Sequence, residues 1–229
     1  MYGKLKTALL LLLFPSIVMA QKLGFVAGPS LDYGILSKVE SGAVVRPVPL
    51  PGLHAGMHFE YDVTNRWGFD IQVMYAMRTQ RWVMSYPSMG SLERTMDRLT
   101  GYLDVPFHFY VNVPLPARWV FNIFGGPVFT CGLHGHDWAF ENTALRKPVN
   151  EAYEKIFDKD DGRITRCEFA LEAGFAFKCR AYQARISYQH SVNNSTHKNF
   201  CYTLPLQSAP YLTNGELKLS FVYLFDLRK

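Results

Sequence analysis

The segment "GLHAGMHFEYDV", residues 52–63, decides how the whole chain is read. As a helix it would put His54 and His58 one turn apart with Glu60 close by. That is nearly the HExxH arrangement that aims two imidazoles at one zinc ion. The apolar residues argue otherwise. Leu53, Ala55, Met57, Phe59 and Tyr61 take the odd positions, and His54, Gly56, His58 and Glu60 the even ones. A period of 2 sustained from 53 to 61 describes a strand with one apolar and one polar face. A helix would scatter Leu53, Met57 and Phe59 among polar neighbours. HAGMH also lacks the glutamate that follows the first histidine of a zinc hydrolase. At about 3.3 Å per residue, His54 and His58 stand roughly 13 Å apart on the polar face, too far to share one ion unaided.

The same alternation recurs along the chain. "WGFDIQVMYAM" sets Trp67, Phe69, Ile71, Val73, Tyr75 and Met77 against Gly68, Asp70, Gln72 and Arg78. "YLDVPFHFYVNV" sets Leu103, Val105, Phe107, Phe109 and Val111 against Tyr102, Asp104, His108, Tyr110 and Asn112. "FALEAGFAFK", "YQARISYQH" and "GELKLSFVYLF" repeat the pattern, with Glu172, Lys178, Arg185, Glu216 and Lys218 on their polar faces. "KLGFVAGPSL" from Lys22 and "WVFNIFGGPVFTCGL" from Trp119 are less regular. The total is about eight strands of roughly ten residues, each long enough to cross a bilayer when tilted.

The N-terminus, "MYGKLKTALLLLLFPSIVMA", has the basic start, apolar run and small residues before Gln21 of a cleaved secretory signal peptide. Residues 1–20 are therefore expected to be removed and residues 21–229 to form one all-β domain. The whole chain carries 24 Lys and Arg against 19 Asp and Glu. Removing Lys4 and Lys6 leaves 22 basic and 19 acidic residues, a net charge of +3. This is too small and too dispersed to point to nucleic acid. No later segment reaches the roughly 18 apolar residues of a spanning helix. In a bacterium, an exported, aromatic-rich chain without a spanning helix is left with the periplasm, the exterior or an outer-membrane barrel.

Loop lengths indicate which face is inside. The connections near Thr64–Arg66, Pro114–Arg118 and Cys179–Ala181 are tight, whereas Asp32–Pro51, Met84–Leu99, His134–Arg163 and Val192–Asn214 are long. Short turns at one end and long loops at the other describe an eight-stranded antiparallel up-and-down transmembrane β-barrel, with periplasmic turns and extracellular loops. Trp67, Trp82, Trp119 and Tyr188 stand at strand ends, where interfacial aromatics are expected. On this reading Phe59, Val73, Phe107, Phe175 and Phe221 face lipid, while His58, Asp70 and Glu172 face the lumen.

"YLDVPFHFYVNV", "FNIFGGPVF", "ALEAGFAFK" and "RISYQHSVNN", in that order, resemble the PorT-type outer-membrane β-barrel family of the Bacteroidetes. The resemblance extends over the mature chain and includes a last strand like "LKLSFVYLF". It departs at the C-terminus, where Phe225 is followed by Asp226, Leu227, Arg228 and Lys229 instead of ending on an aromatic residue. The resemblance implies an outer-membrane barrel with an envelope or secretion-associated role. Outer-membrane lipid and other envelope or secretion-system proteins are then the partners. It does not imply one activity, because a fold does not fix a function.

Several clusters invite sharper readings. The polar-face set of His54, His58, Glu60, Asp70, Arg78, Asp104, His108, Glu172, Lys178, Arg185, Glu216 and Lys218 reads as an ion-paired plug of a narrow barrel, with a proton or ion path as the alternative. "FDKDDGRITRCE" from Phe157 has the glycine and the final glutamate of a calcium loop, at Gly162 and Glu168. It has Phe157 and Lys159 where ligand oxygens are required, so an acidic turn is favoured. "HGHD", His134 to Asp137, at the start of the longest loop, offers two imidazoles and a carboxylate to a transition metal, or simply a solvated loop. In "YQHSVNN", His190 and Ser191 are adjacent and point to opposite faces of a strand, the wrong geometry for a histidine-activated serine. Cys131 and Cys167 share the apolar parity near the outer ends of adjacent strands, placed for a disulfide or for lipid-facing thiols. Cys179 and Cys201 fall at opposite ends.

The sequence thus assigns no catalytic, cofactor-binding or metal-ligating residue and no cofactor. Its reading is a non-enzymatic outer-membrane barrel. The alternatives are a periplasmic lipocalin-like barrel with Leu53, Phe59, Phe221 and Tyr223 lining a cavity, and a barrel hydrolase acting on lipid.

Overall fold

The computed structural model describes residues 21–37, 44–86, 92–141, 147–148, 156–157, 164–196 and 211–227. The expected signal peptide, residues 1–20, and Cys201 lie outside them. Eight long strands form one ring: β1 Lys22–Ser37, β2 Val44–Asp62, β3 Trp67–Tyr86, β4 Leu92–Pro114, β5 Trp119–Glu141, β6 Cys167–Cys179, β7 Tyr182–Ser191 and β8 Tyr211–Asp226. Each pairs antiparallel with its sequence neighbour, and β1 pairs with β8 to close the circle. A two-residue strand, Lys147–Pro148, adds to the outer end of β5. Closure satisfies every edge, which a strand structure in lipid requires.

Alternation determines the faces, as expected. On β2, His54, His58 and Glu60 turn inward and are buried, whereas Leu53 is 57% exposed on the outside. Phe25, Phe129 and Phe221 are 60%, 62% and 58% exposed, while Asp104 and His108 inside are wholly buried. An apolar outside around a charged inside is the inverse of a soluble barrel, and it is the architecture of a bacterial outer-membrane protein. It excludes the lipocalin-like arrangement: Leu53, Phe221 and Tyr223 point outward. No described helix is long and apolar enough to cross a membrane, so the strands do the crossing.

The tight turns gather at one end. β2 and β3 are joined by residues 63–66, β4 and β5 by a short 3-10 turn at Pro116–Arg118, and β6 and β7 by Arg180 and Ala181. Reversal in so few residues pushes Ala117, Arg118 and Arg180 to φ of 60°, 66° and 56°, the left-handed region.

The strands are longer than the alternation predicted. β2 to β5 run 19, 20, 23 and 23 residues. Much of the expected long loops is therefore paired strand. Pro47, assigned to a loop, lies in β2 opposite Trp82. A polar residue in a ladder breaks no backbone pairing, so hairpins continue past the apolar belt where hydropathy no longer marks them. Met89, Asn150 and Leu206, which fall within the other three long connections, lie outside the described residues.

Two outer-face assignments also change. Trp82 does not join an interfacial belt; it is wholly buried inside the barrel and its indole N–H donates to Gly34 O at 2.8 Å. Even numbering on β3 sends it inward with Asp70 and Arg78. Phe59 keeps the outward parity but is only 5% exposed, set between its cross-strand neighbours Leu23 and Ile71. The belt itself is formed by Trp67 and Trp119 at the turn end. Towards the other end Tyr33 and Tyr188 share a hydroxyl hydrogen bond of 2.7 Å, and Tyr75 bonds His134 at 2.9 Å.

Candidate functional site

The lumen contains most of the chemistry-bearing side chains. Near the turn end, Lys22 Nζ donates to Glu60 at 3.0 Å and to Asp62 at 2.5 Å. Lys178 also reaches Glu60, and Tyr110 donates to Asp62 at 2.6 Å. One layer further in, Arg185 donates to Asp70 Oδ2 at 3.1 Å and lies 3.9 Å above the Phe124 ring. His108 Nδ1 meets Asp70 Oδ1 at 2.9 Å. Arg185 Nη2 is also 3.1 Å from that nitrogen. One ring nitrogen cannot both donate to the carboxylate and accept from the guanidinium, so the latter contact is packing.

Above this, Lys218 is held by Glu172 at 2.9 Å and Gln189 at 2.5 Å. Arg78 bridges Asp104 at 2.5 Å and Glu216 at 3.0 Å, with its guanidinium 4.6 Å over the Tyr102 ring. His54 Nε2 pairs with Ser220 Oγ at 2.8 Å. Highest of all, Arg98 grips Asp137 with two bonds of 2.6 and 2.8 Å and lies over Trp82. Each basic group thus has an acid from a different strand, and the pairs lace the ring together across its interior. Buried charges survive only when paired in this way.

The outer mouth has a different character. Trp82, Met84, Met96, Tyr102 and Leu212 from the wall meet Ile156, Phe157 and Ile164 from the long β5–β6 connection. Ile156 is wholly buried, and Phe157 stands edge-on to Tyr102 at 5.5 Å. Gly132 leaves the space that the Phe157 ring fills: a Cβ there would meet ring carbons. Arg166 donates to Phe157 O at 3.2 Å and fixes this segment to the wall. The β5–β6 connection therefore caps the polar lumen with an apolar plug.

The geometry places the residues of the sharper sequence readings as follows. The first and twelfth positions of the calcium-like loop both point into the barrel: Phe157 joins the plug, and Glu168 accepts from Asn214 Nδ2 at 2.8 and 2.9 Å. Residues 158–163 of that loop lie outside the described residues. His134 to Asp137 belong to β5, not to a loop, and they diverge. His134 binds Tyr75 on the outside, His136 packs beside Trp138, and Asp137 turns inward to Arg98. A bulge opposite Gly101 and Tyr102 causes the change of parity. His190 stacks outside on Tyr188 while Ser191 is buried inside, so no His–Ser pair exists there. His54 and His58 are indeed wall residues of the lumen, each with non-metal partners. Among the described residues no three His, Cys, Asp or Glu side chains are grouped to hold a metal. Sequence reasoning missed the plug: Ile156 and Phe157 sit in a stretch without periodicity, where only their apolar character set them apart.

No family model matches the sequence, and no curated protein matches it. Solved structures match it in fold. Ail, the attachment invasion locus protein of Yersinia pestis, is 14% identical over 90% of this chain and 100% of its own, with a TM-score of 0.39. The outer membrane protein OprG of Pseudomonas aeruginosa is 14% identical over 90% and 97%, with a TM-score of 0.45. Neisserial surface protein A is 8% identical over 89% and 97%, with a TM-score of 0.40. With TM-scores below 0.5 these likenesses carry no argument of their own, and the barrel rests on its own strand pairing.

Proposed function

We propose that this chain is a non-enzymatic integral outer-membrane protein of PorT-like type, with a closed barrel that acts through its surface hairpins in an envelope or secretion-associated role. The observation that carries the reading is the filled interior. Arg78, Arg185 and Lys218 lock their acids across the lumen, and Ile156 and Phe157 cover the mouth. A barrel closed in two successive ways does not serve as a conduit, which leaves its outer surface to do the work. The long β3–β4 hairpin, paired out to Tyr86 and Leu92, and the outer reaches of β2 and β5 beside it supply that surface. Outer-membrane lipid surrounds the apolar belt, and envelope or secretion-system proteins are the partners for the hairpins.

Two measurements test this. Reconstituted into a planar bilayer, the purified protein should insert without stepwise conductance; steady single-channel steps would overturn the closed-barrel reading. In-cell crosslinking from the outer reaches of β2 to β5, around the β3–β4 hairpin, followed by purification, should recover a defined envelope protein. Crosslinks to lipid alone would remove the partner.

A further inference from the structure

We propose that Cys131 and Cys167 form a disulfide between β5 and β6, closing the base of the segment whose Ile156 and Phe157 plug the barrel mouth. The two residues are exact register partners on neighbouring strands. Thr130, Gly132 and Glu168 beside them turn inward, so both cysteines face outward on the same side of the sheet. Both stand as free thiols, Cys131 half-buried and Cys167 exposed.

The hydrogen-bond ladder shows the type of pairing. Gly132 N–H donates to Arg166 O at 2.6 Å. That bond runs between the residues next to the cysteines, which makes Cys131 and Cys167 a non-hydrogen-bonded antiparallel pair. Such pairs bring their Cα atoms to about 4.5 Å and their side chains closest. This lies inside the roughly 4.4–6.8 Å window that a disulfide needs. The bond can close with no change of register.

Its place gives it a consequence. The cysteines bracket residues 132–166, which include the plug. Arg166, next to Cys167, holds Phe157 O, and Gly132, next to Cys131, makes room for the Phe157 ring. A bond between the cysteines fixes both of these neighbours at once. The chemistry is thiol–disulfide exchange with a disulfide-bearing oxidant of an oxidising compartment. The thiolate of one cysteine attacks an oxidant sulfur, and the second cysteine displaces the mixed disulfide. The protein loses two electrons and two protons as the oxidant becomes two thiols. The proposal rests on the outer-membrane reading only for that compartment.

The test counts thiols in full-length protein taken from the outer-membrane fraction without reductant. The sample is denatured in the presence of an alkylating maleimide and then mapped by mass spectrometry. The chain has four cysteines. Two, Cys179 and Cys201, should react, all four should react after reduction, and a peptide pair joined through Cys131 and Cys167 should appear. The double variant Cys131→Ser/Cys167→Ser should lose that pair while keeping the heat-dependent gel shift of a folded barrel. It should also show faster protease cleavage within residues 142–163. Four reactive thiols in unreduced protein, or a bond joining other cysteines, would overturn the proposal. Absence of the protein from the outer-membrane fraction would instead overturn its location, so the two failures are distinguishable.

Discussion

Replacing Arg185 by methionine measures whether the lumen is a packed core or a wetted pore. Arg185 is 2% exposed and belongs to a triad with Asp70 and His108. Methionine keeps most of the length but removes the charge. The loss comprises one charge-assisted hydrogen bond, about 1.5–3 kcal/mol, and a buried cation–π contact with Phe124, about 2 kcal/mol. Asp70 is not left alone. It retains His108 Nδ1 at 2.9 Å and Gln72 Nε2 at 3.3 Å. The expected cost is therefore about 3–4 kcal/mol, towards the lower end for a broken buried pair. If water filled the lumen, the pair would be screened like one on a surface, and the same change would cost about 0–1 kcal/mol.

The two outcomes differ by a factor of roughly 100 in the folding equilibrium, since each 1.4 kcal/mol is tenfold. Reversible urea unfolding in lipid vesicles, followed by tryptophan fluorescence and by gel mobility without boiling, resolves that difference. Asp70→Asn added to Arg185→Met removes the carboxylate charge that Arg185 had balanced and should recover at least about 1 kcal/mol, a coupling expected of touching residues. A single variant within 1 kcal/mol of wild type, with no recovery in the double, would refute the plugged-lumen account.

Further outcomes follow from other parts of the wall. Phe221→Arg, on the lipid-facing side, should cost about 2–4 kcal/mol in vesicles; equal stability of this variant and wild type would reverse the inside-out assignment. Trp82→Ala should remove a wall of the apolar cap and cost about 3–5 kcal/mol without opening a conductance, because the ion pairs beneath still fill the lumen; single-channel steps in this variant would show that the cap alone closes the barrel. The protein should purify without stoichiometric zinc, and a chelator should leave its melting temperature unchanged, because His54 and His58 have protein partners; a chelator-sensitive transition lost in His54→Gln/His58→Gln would revive the metal reading. A cysteine placed at Leu115 should resist an impermeant thiol reagent on intact cells, since its turn is periplasmic, and labelling there would invert the topology.

How far the sequence could be read depended on whether a residue's role is local. The face of a strand residue is local: parity on β2 alone sent His58 inward and Leu53 outward, and the ring agrees. Parity also placed Cys131 and Cys167 on one face of neighbouring strands, and the register then brought them opposite. Strand ends are not local in this sense, because a ladder runs on wherever two chains keep pairing. Pro47 and Trp82 therefore face one another in a hairpin that hydropathy had divided into loop and belt. Partner identity is less local still. That Arg78 joins Asp104 from β4 to Glu216 from β8 depends on how the ring closes, which no stretch of sequence contains. The plug shows the limit most plainly. Ile156 and Phe157 belong to no alternating segment, and only the closed ring creates the mouth they fill. The second closure of this barrel, the apolar cap above the ion pairs, thus lies in a connection and not in a strand.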